Sequence, residues 1–316
     1  VSDGKAGTEN QALGLAEALG LAPVVKRVRL RPPWRWFSPH WRIGNRYALG
    51  RGGDPFSPPW PAVLISAGRH GIAPSLALAA TPGVFRIHLQ DPRIDPAHFD
   101  LVVAPEHDAV RGPNVVLTRG AITRITPAKL AEARERFAPL IGGLPGPRIA
   151  ALIGGRSRHH DLSPAKAESL GRRLVGLAAR YGGSLLVSTS RRTGAAAGAA
   201  LRAAVLEAPH LFFDPAAALG ENPYLGFLAW ADFIVVTNDS VSMASDAATT
   251  GTPIFVDEIE GHAPKLARFH AALAAAGVTR PLAEAAAAAT PPAAWRDSAF
   301  DDAASAAAAV CRRWRA

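Results

Sequence analysis

The residues best suited to chemistry cluster at three places in the second half of the chain, each directly after a short apolar run. Gly154, Gly155, Arg156 and Ser157 follow the run at residues 149–153; Ser188, Thr189, Ser190, Arg191 and Arg192 follow residues 184–187; Asn238, Asp239 and Ser240 follow residues 233–236. Paired glycines let backbone N–H groups approach a pyrophosphate with no side chain in the way. Hydroxyls add hydrogen bonds, and arginine meets a phosphate bidentately. From Ser240 to Thr249 the small residues suit a helix that stops at Gly251, so its first N–H groups would face the same anion. Asp246, two turns into that helix, is spaced to reach a ribose. Together the three turns predict a site for a nucleoside diphosphate. Taken singly, each also reads as a tight turn or a capped βα crossover.

The first half offers candidate proton acceptors instead. Asp3, His70, Asp91, Glu106 and His107 all stand in polar loops beside apolar runs. A carboxylate or imidazole there suits the removal of a proton from an acceptor hydroxyl. Each has a structural reading as well: Asp3 as a helix cap, His70 as a loop residue, Asp91 as the turn residue before Pro92, and Glu106 and His107 as solvated loop.

The elements that must position these groups follow from patterning. Alternating Val25, Val28 and Leu30 against Lys26, Arg27 and Arg29 predicts a strand over 24–30 with one wet face. Short apolar runs at 62–66, 84–89, 101–104 and 115–118 alternate with helical stretches, which indicates a parallel sheet. A helix over 127–140 leads to Ile141-Gly142-Gly143-Leu144-Pro145-Gly146-Pro147, the clearest linker signal and the predicted domain boundary. A second alternation follows, with helices over 164–181, 195–207 and 223–230 and strands at 149–153, 184–187, 211–213, 233–236 and 253–256. Helices over 265–274 and 301–314 close the chain. The predicted organisation is α/β, with two Rossmann-like domains whose parallel sheets face a central cleft. Residues 1–142 form the acceptor side, with its first strand expected ahead of Val1; residues 148–300 bind the nucleotide; and 301–316 are a terminal helix.

Composition narrows the function classes. A chain of 316 residues with 48% hydrophobic and 19% charged residues is globular, and it holds no apolar run long enough to cross a bilayer. One cysteine, Cys311, excludes disulfides and thiolate zinc and points to a reducing, cytoplasmic setting. The formal charge of +9 favours anionic partners, but arginine and alanine richness together read as a GC-rich coding bias, so nucleic acid is not the expected partner. Residues 31–60 stand out, with Trp34, Trp36, Trp41 and Trp60 among Arg31, Arg35, Arg42, Arg46 and Arg51. Such an insert suits an anionic membrane surface or a lipid-linked acceptor. The competing reading, a loop cemented by its own tryptophans, is the favoured one. Motifs for a P-loop, a dinucleotide fingerprint, a serine elbow and a zinc protease are absent. His159-His160-Asp161 reads as surface, and no metal site is predicted.

Several separated blocks carry a resemblance. Residues 2–11 (Ser-Asp-Gly-Lys-Ala-Gly-Thr-Glu-Asn-Gln), 66–69 (Ser-Ala-Gly-Arg), 90–93 (Gln-Asp-Pro-Arg), 153–155 (Ile-Gly-Gly) and 236–243 (Val-Thr-Asn-Asp-Ser-Val-Ser-Met) resemble the mitochondrial-fission, elongated-mitochondria family, whose bacterial members are labelled nucleoside-diphosphate-sugar epimerases. That family is similar to GT-B glycosyltransferases, and the lipid-linked N-acetylglucosamine transferase of peptidoglycan synthesis is the nearest analogy. The resemblance implies a nucleotide-diphosphate-sugar donor, no separate cofactor, and a sugar moved to an acceptor, with lipid-linked acceptors included and the enzyme peripheral to the inner membrane. It places the donor-site glycines and helix acid on Gly154, Gly155, Ser157 and Asp246, with Asp where such a site commonly has Glu. It equally implies an alternative, the non-catalytic adaptor role of the plant branch. An epimerase finds no support in the residues, since a Tyr-x-x-x-Lys pair is lacking.

Overall fold

A computed structural model describes residues 1–217, 220–293 and 300–314 of the chain. They divide into two compact units, one of residues 1–124 with 301–316 and one of residues 125–300.

In the first unit the order is α1 (Ala6–Ala18), α2 (Trp34–Phe37), β1 (Val63–Ala67), α3 (Gly68–Ala77), β2 (Phe85–Leu89), β3 (Leu101–Pro105) and β4 (Val115–Thr118). The strands pair in parallel in the order β1-β2-β3-β4. All five residues of β3 are buried, as a strand covered on both faces requires. The predicted strand over 24–30 is not one. Single bridges join Ser2 to Arg27 and Leu30 to Leu49, while Val24 is 79% exposed, so its alternation finds no sheet to lie on.

The second unit runs through α4 (Pro127–Arg136), α5 (Ala138–Ile141), β5 (Arg148–Leu152), β6 (His160–Asp161), α6 (Pro164–Tyr181), β7 (Ser184–Ser188), α7 (Ala195–Ala204), β8 (His210–Phe213), α8 (Tyr224–Trp230), β9 (Phe233–Thr237), α9 (Val241–Thr250), β10 (Ile254–Asp257), β11 (Glu260–Gly261), α10 (Pro264–Ala275), β12 (Thr279–Pro281) and α11 (Leu282–Ala287). Its six-stranded parallel sheet has the order β12-β10-β9-β5-β7-β8. Ranked along the chain, this is the doubly wound order in which the first and fourth strands lie side by side, and between them the direction of winding reverses. Here those strands are β5 and β9. Fully buried Ile149, Ala151, Leu185, Val187, Phe233 and Val235 face one side of the sheet, and Ala150, Leu152, Leu186, Ile234 and Val236 face the other. β6 and β11 form a separate two-stranded ribbon.

The unit boundary falls near residue 125 rather than at the Gly/Pro-rich run of 141–147. The reason is α4, which packs on α8 inside the second unit. Arg134 lies over the Trp230 ring at 4.3 Å and donates to the Ala229 carbonyl, while Trp230 Nε1 donates to the Arg134 carbonyl at 2.9 Å. The run 141–147 is therefore only the connection into β5. The closing helix α12 (Asp302–Trp314) belongs to the first unit, where Ala306, Ala307 and Val310 join Leu15 and Ile87 in its core. Asp302 accepts the Gly120 amide at 2.7 Å, fixing the end of β4.

Candidate functional site

The reversal point of the second sheet brings the glycine pair and the Asn238–Ser240 loop together. Beyond β5, the Gly154 amide donates to Thr237 Oγ1 at 2.8 Å, and the Gly155 amide donates to Asp239 Oδ2 at 3.0 Å. Thr237 in turn donates to Asp239 Oδ1 at 2.7 Å, and the Arg192 guanidinium pairs with the same carboxylate. Asp239 is only 7% exposed. A carboxylate so buried is tolerated because charged and polar donors meet both of its oxygens.

This packing explains why both glycines are needed. A Cβ on Gly154 would lie 2.1 Å from Asp239 Oδ1. Gly155 has φ +149°, and a Cβ there would fall 2.3 Å from the Arg192 carbonyl oxygen. The turn after β7 closes the other side. Ser190 Oγ donates to the Gly154 carbonyl at 3.1 Å, Thr193 Oγ1 donates to the same carbonyl at 2.5 Å, and Arg192 donates to the Gly155 carbonyl at 3.1 Å.

The other predicted donor-site residues fall into distinct settings. Ser188 and Thr189 are buried, and the Thr189 hydroxyl donates to the Phe213 carbonyl at the neighbouring strand. Asn238 is held by the loop after β10 and by α10, its Oδ1 accepting the Ile259 amide at 3.1 Å and its carbonyl accepting His270 Nε2 at 2.9 Å. Ser157 accepts the amides of His159 and His160, and Ser240 caps α9 by accepting the Met243 amide at 3.3 Å. The guanidiniums of Arg156 and Arg191 are exposed beside this network. His160, read as surface from the sequence, is 5% exposed because its strand pairs with β11.

Asp246 lies on α9 and accepts the Tyr224 hydroxyl of α8 at 3.0 Å. Burial pushes its pKa up to about 7, against the opposing pull of that hydrogen bond, and burial likewise raises Tyr224. Thr193 and Thr237 flank the segments singled out in the sequence, whereas Tyr224 and His270 escape a reading of it because each meets the site from a separate segment. A threonine ending an apolar run, as Thr237 does, is the one signal that would have pointed to the threonines.

In the first unit the strand ends carry the predicted proton acceptors. Asp3 is pushed up by burial, but hydrogen bonds and charge from Lys5, with a smaller contribution from His70, outweigh it and hold the carboxyl below its ordinary value. His70, at the start of α3, is lowered by burial, which outweighs the attraction of Asp3, so it is neutral at pH 7. After β2, Gln90 and Arg93 take φ of 77° and 56°, a left-handed conformation costly for side-chain-bearing residues. Gln90 Nε2 donates to Gln11 Oε1 at 3.3 Å. Asp91 Oδ1 accepts the Arg93 amide, its own amide donates to Asp108, and His107 is 9% exposed in the loop after β3. The structure thus brings Asp3 and His70 into electrostatic reach, while Asp91 and His107 lie in the loops after β2 and β3, which the bond from Asp91 to Asp108 joins.

Among the described residues no group of three or more His, Cys, Asp or Glu side chains is placed to hold a metal, and no helix is long and apolar enough to cross a membrane. Comparison with solved structures gives a UDP-GlcNAc 2-epimerase from Neisseria meningitidis bound to UDP-GlcNAc (13% identity, TM-score 0.46, 80% of this chain and 76% of that one). MurG of Acinetobacter baumannii is similar at 12% identity and TM-score 0.49, covering 99% of this chain and 98% of that one. By sequence the chain is 30% identical over 249 residues to mitochondrial fission protein ELM1 of Arabidopsis thaliana, covering 70% of this chain and 57% of the plant protein. It is 26% identical over 155 residues to the uncharacterized protein RP120 of Rickettsia prowazekii, covering 48% of this chain and 42% of that protein. The chain thus spans about half the length of these relatives. The profile described as mitochondrial fission ELM1 matches residues 6–314, and the protein belongs to that family.

Proposed function

We propose that the second unit binds a nucleotide-diphosphate sugar at the ends of β5, β7 and β9, and that the protein transfers the sugar to an acceptor, with lipid-linked acceptors in scope. The observation that carries this reading is the position of the glycine pair. It sits where the doubly wound sheet reverses, the place at which such sheets take their ligands. In this reading the Asp239 network fixes the turn, and the donor phosphates meet the exposed guanidiniums of Arg156 and Arg191, the Ser157 hydroxyl and the N-terminus of α9. In the first unit, neutral His70 beside Asp3 is a proton acceptor of the kind such a transfer needs. No cofactor is invoked, and the donor is itself the substrate.

A non-catalytic adaptor is the second reading. It is favoured by the Gly155 amide and Arg192, which already bind an internal carboxylate where a phosphate would otherwise be met. A thermal-shift screen of nucleoside diphosphates and their sugars separates the two. A donor binder gains melting temperature with ligand concentration, and Arg191→Ala reduces that gain. If none of the nucleotides stabilises the protein at millimolar concentration, the transferase reading is lost and the adaptor reading stands.

A further inference from the structure

The basic-aromatic insert is built in two layers. Its base is packed: Trp34 is 8% exposed and clusters with Leu30, Ala48 and Ala73 of α3. The Arg31 amide donates to the Ala48 carbonyl at 2.9 Å, and Ser38 Oγ donates to the Arg69 carbonyl at 3.2 Å. Its outer layer is not packed. Trp36 is 65% exposed, Phe37 56%, Trp41 42%, Ile43 77% and Tyr47 53%, all within residues 36–47. A loop cemented by its own aromatic residues would hide these rings. Phe37 and Trp41 lie beside each other, with ring centroids 6.3 Å apart, and both stay exposed. Arg31, Arg35, Arg42, Arg46 and Arg51 are exposed among them, and residues 31–51 contain no Asp or Glu.

We infer that this outer layer docks on the surface of an anionic lipid bilayer. Amphipathic aromatic rings partition into the headgroup region, where tryptophan and tyrosine have one apolar side and one wet side. Arginines on the same short segment are drawn to the negative potential of that surface. The packed base holds the segment in place, so little ordering is needed on contact. The inference does not depend on nucleotide binding, which lies in the other unit.

The test uses the full chain with vesicles of neutral phosphatidylcholine and of phosphatidylcholine containing one-third phosphatidylglycerol. The protein floats with the anionic vesicles and not with the neutral ones, and its tryptophan emission shifts to the blue. A triple Arg35→Glu, Arg46→Glu, Arg51→Glu variant binds about a hundredfold more weakly, taking about fivefold per arginine. A Trp36→Ser, Trp41→Ser variant loses the blue shift. Both variants keep the wild-type melting temperature and nucleotide response, because the altered side chains are exposed. Absence of flotation, equal flotation with neutral vesicles, or unchanged binding by both variants overturns the proposal. So does selective loss, in the charge variant, of binding to a single-stranded oligonucleotide when no vesicle is bound.

Discussion

The strand ends of the two units solve opposite problems. In the second unit the turn after β5 is sealed: Asp239, Thr237, Arg192, Ser190 and Thr193 occupy one another and the glycine amides. In the first unit the turn after β2 holds two non-glycine residues at positive φ, and the neutral imidazole of His70 stands half-buried near Asp3. The first arrangement is a fixed platform with the guanidiniums of Arg156 and Arg191 exposed at its edge. The second holds two residues in a strained backbone conformation and an imidazole whose pKa burial lowers.

Substitutions on the platform should have the largest effects. Asp239→Ala leaves Arg192 and the Gly155 amide without their acceptor, and a loss of about 3 kcal/mol in urea unfolding is expected. A cost under about 1 kcal/mol would mean that the network is decoration. Gly154→Ala forces a methyl into the Asp239 carboxylate and should lose about 2–3 kcal/mol, whereas Asp91→Ala in the other unit should lose less than about 1 kcal/mol, since only local loop bonds go. Equal losses at both sites would erase the contrast.

The units should also respond to pH in opposite directions. Asp246 has a folded pKa of about 7 against an ordinary 3.8, so the folded state binds more protons between those values and its stability falls as pH rises from about 4 to 7. His88, buried against Ser66 and lowered to about 3 by burial with a smaller effect of the N-terminal ammonium, acts the other way. It leaves stability intact above its unfolded value of about 6.5 and removes it progressively as pH falls below that. Melting curves from pH 5 to 8.5 should show Asp246→Asn gaining on wild type as pH rises, by about 1–3 kcal/mol. A gain independent of pH would place Asp246 outside the titrating set. The smallest stability effect belongs to Arg191→Ala, expected within about 0.5 kcal/mol of wild type while weakening nucleoside diphosphate binding about tenfold by calorimetry. A fall in melting temperature without ligand would instead tie Arg191 to the platform.

Local signals carried far in this sequence. The helix over 164–181 is placed to the residue, because Ser163 accepts the Lys166 amide and Gly182 ends it in a left-handed conformation. The buried strands declare themselves as apolar runs. What patterning did not reveal is long-range. Asp239 and Gly155 are 84 residues apart, and nothing in either neighbourhood says that the aspartate turns inward to hold the glycine turn. The Gly/Pro-rich run at 141–147 looks like a hinge, yet the crossing between units lies near 125, where Thr126 simply caps α4 by accepting the Lys129 amide. The insert divides in the same way: Trp34 is cemented while Trp36 is not, and no property of a single tryptophan distinguishes them.

The placement of α12 in the first unit sets an order of events during synthesis. Residues 125–300 are contiguous and can fold once they clear the ribosome, whereas the core around Leu15 and Ile87 lacks Ala306, Ala307 and Val310 until the final helix emerges. Within this chain, the half that is translated first is therefore completed last.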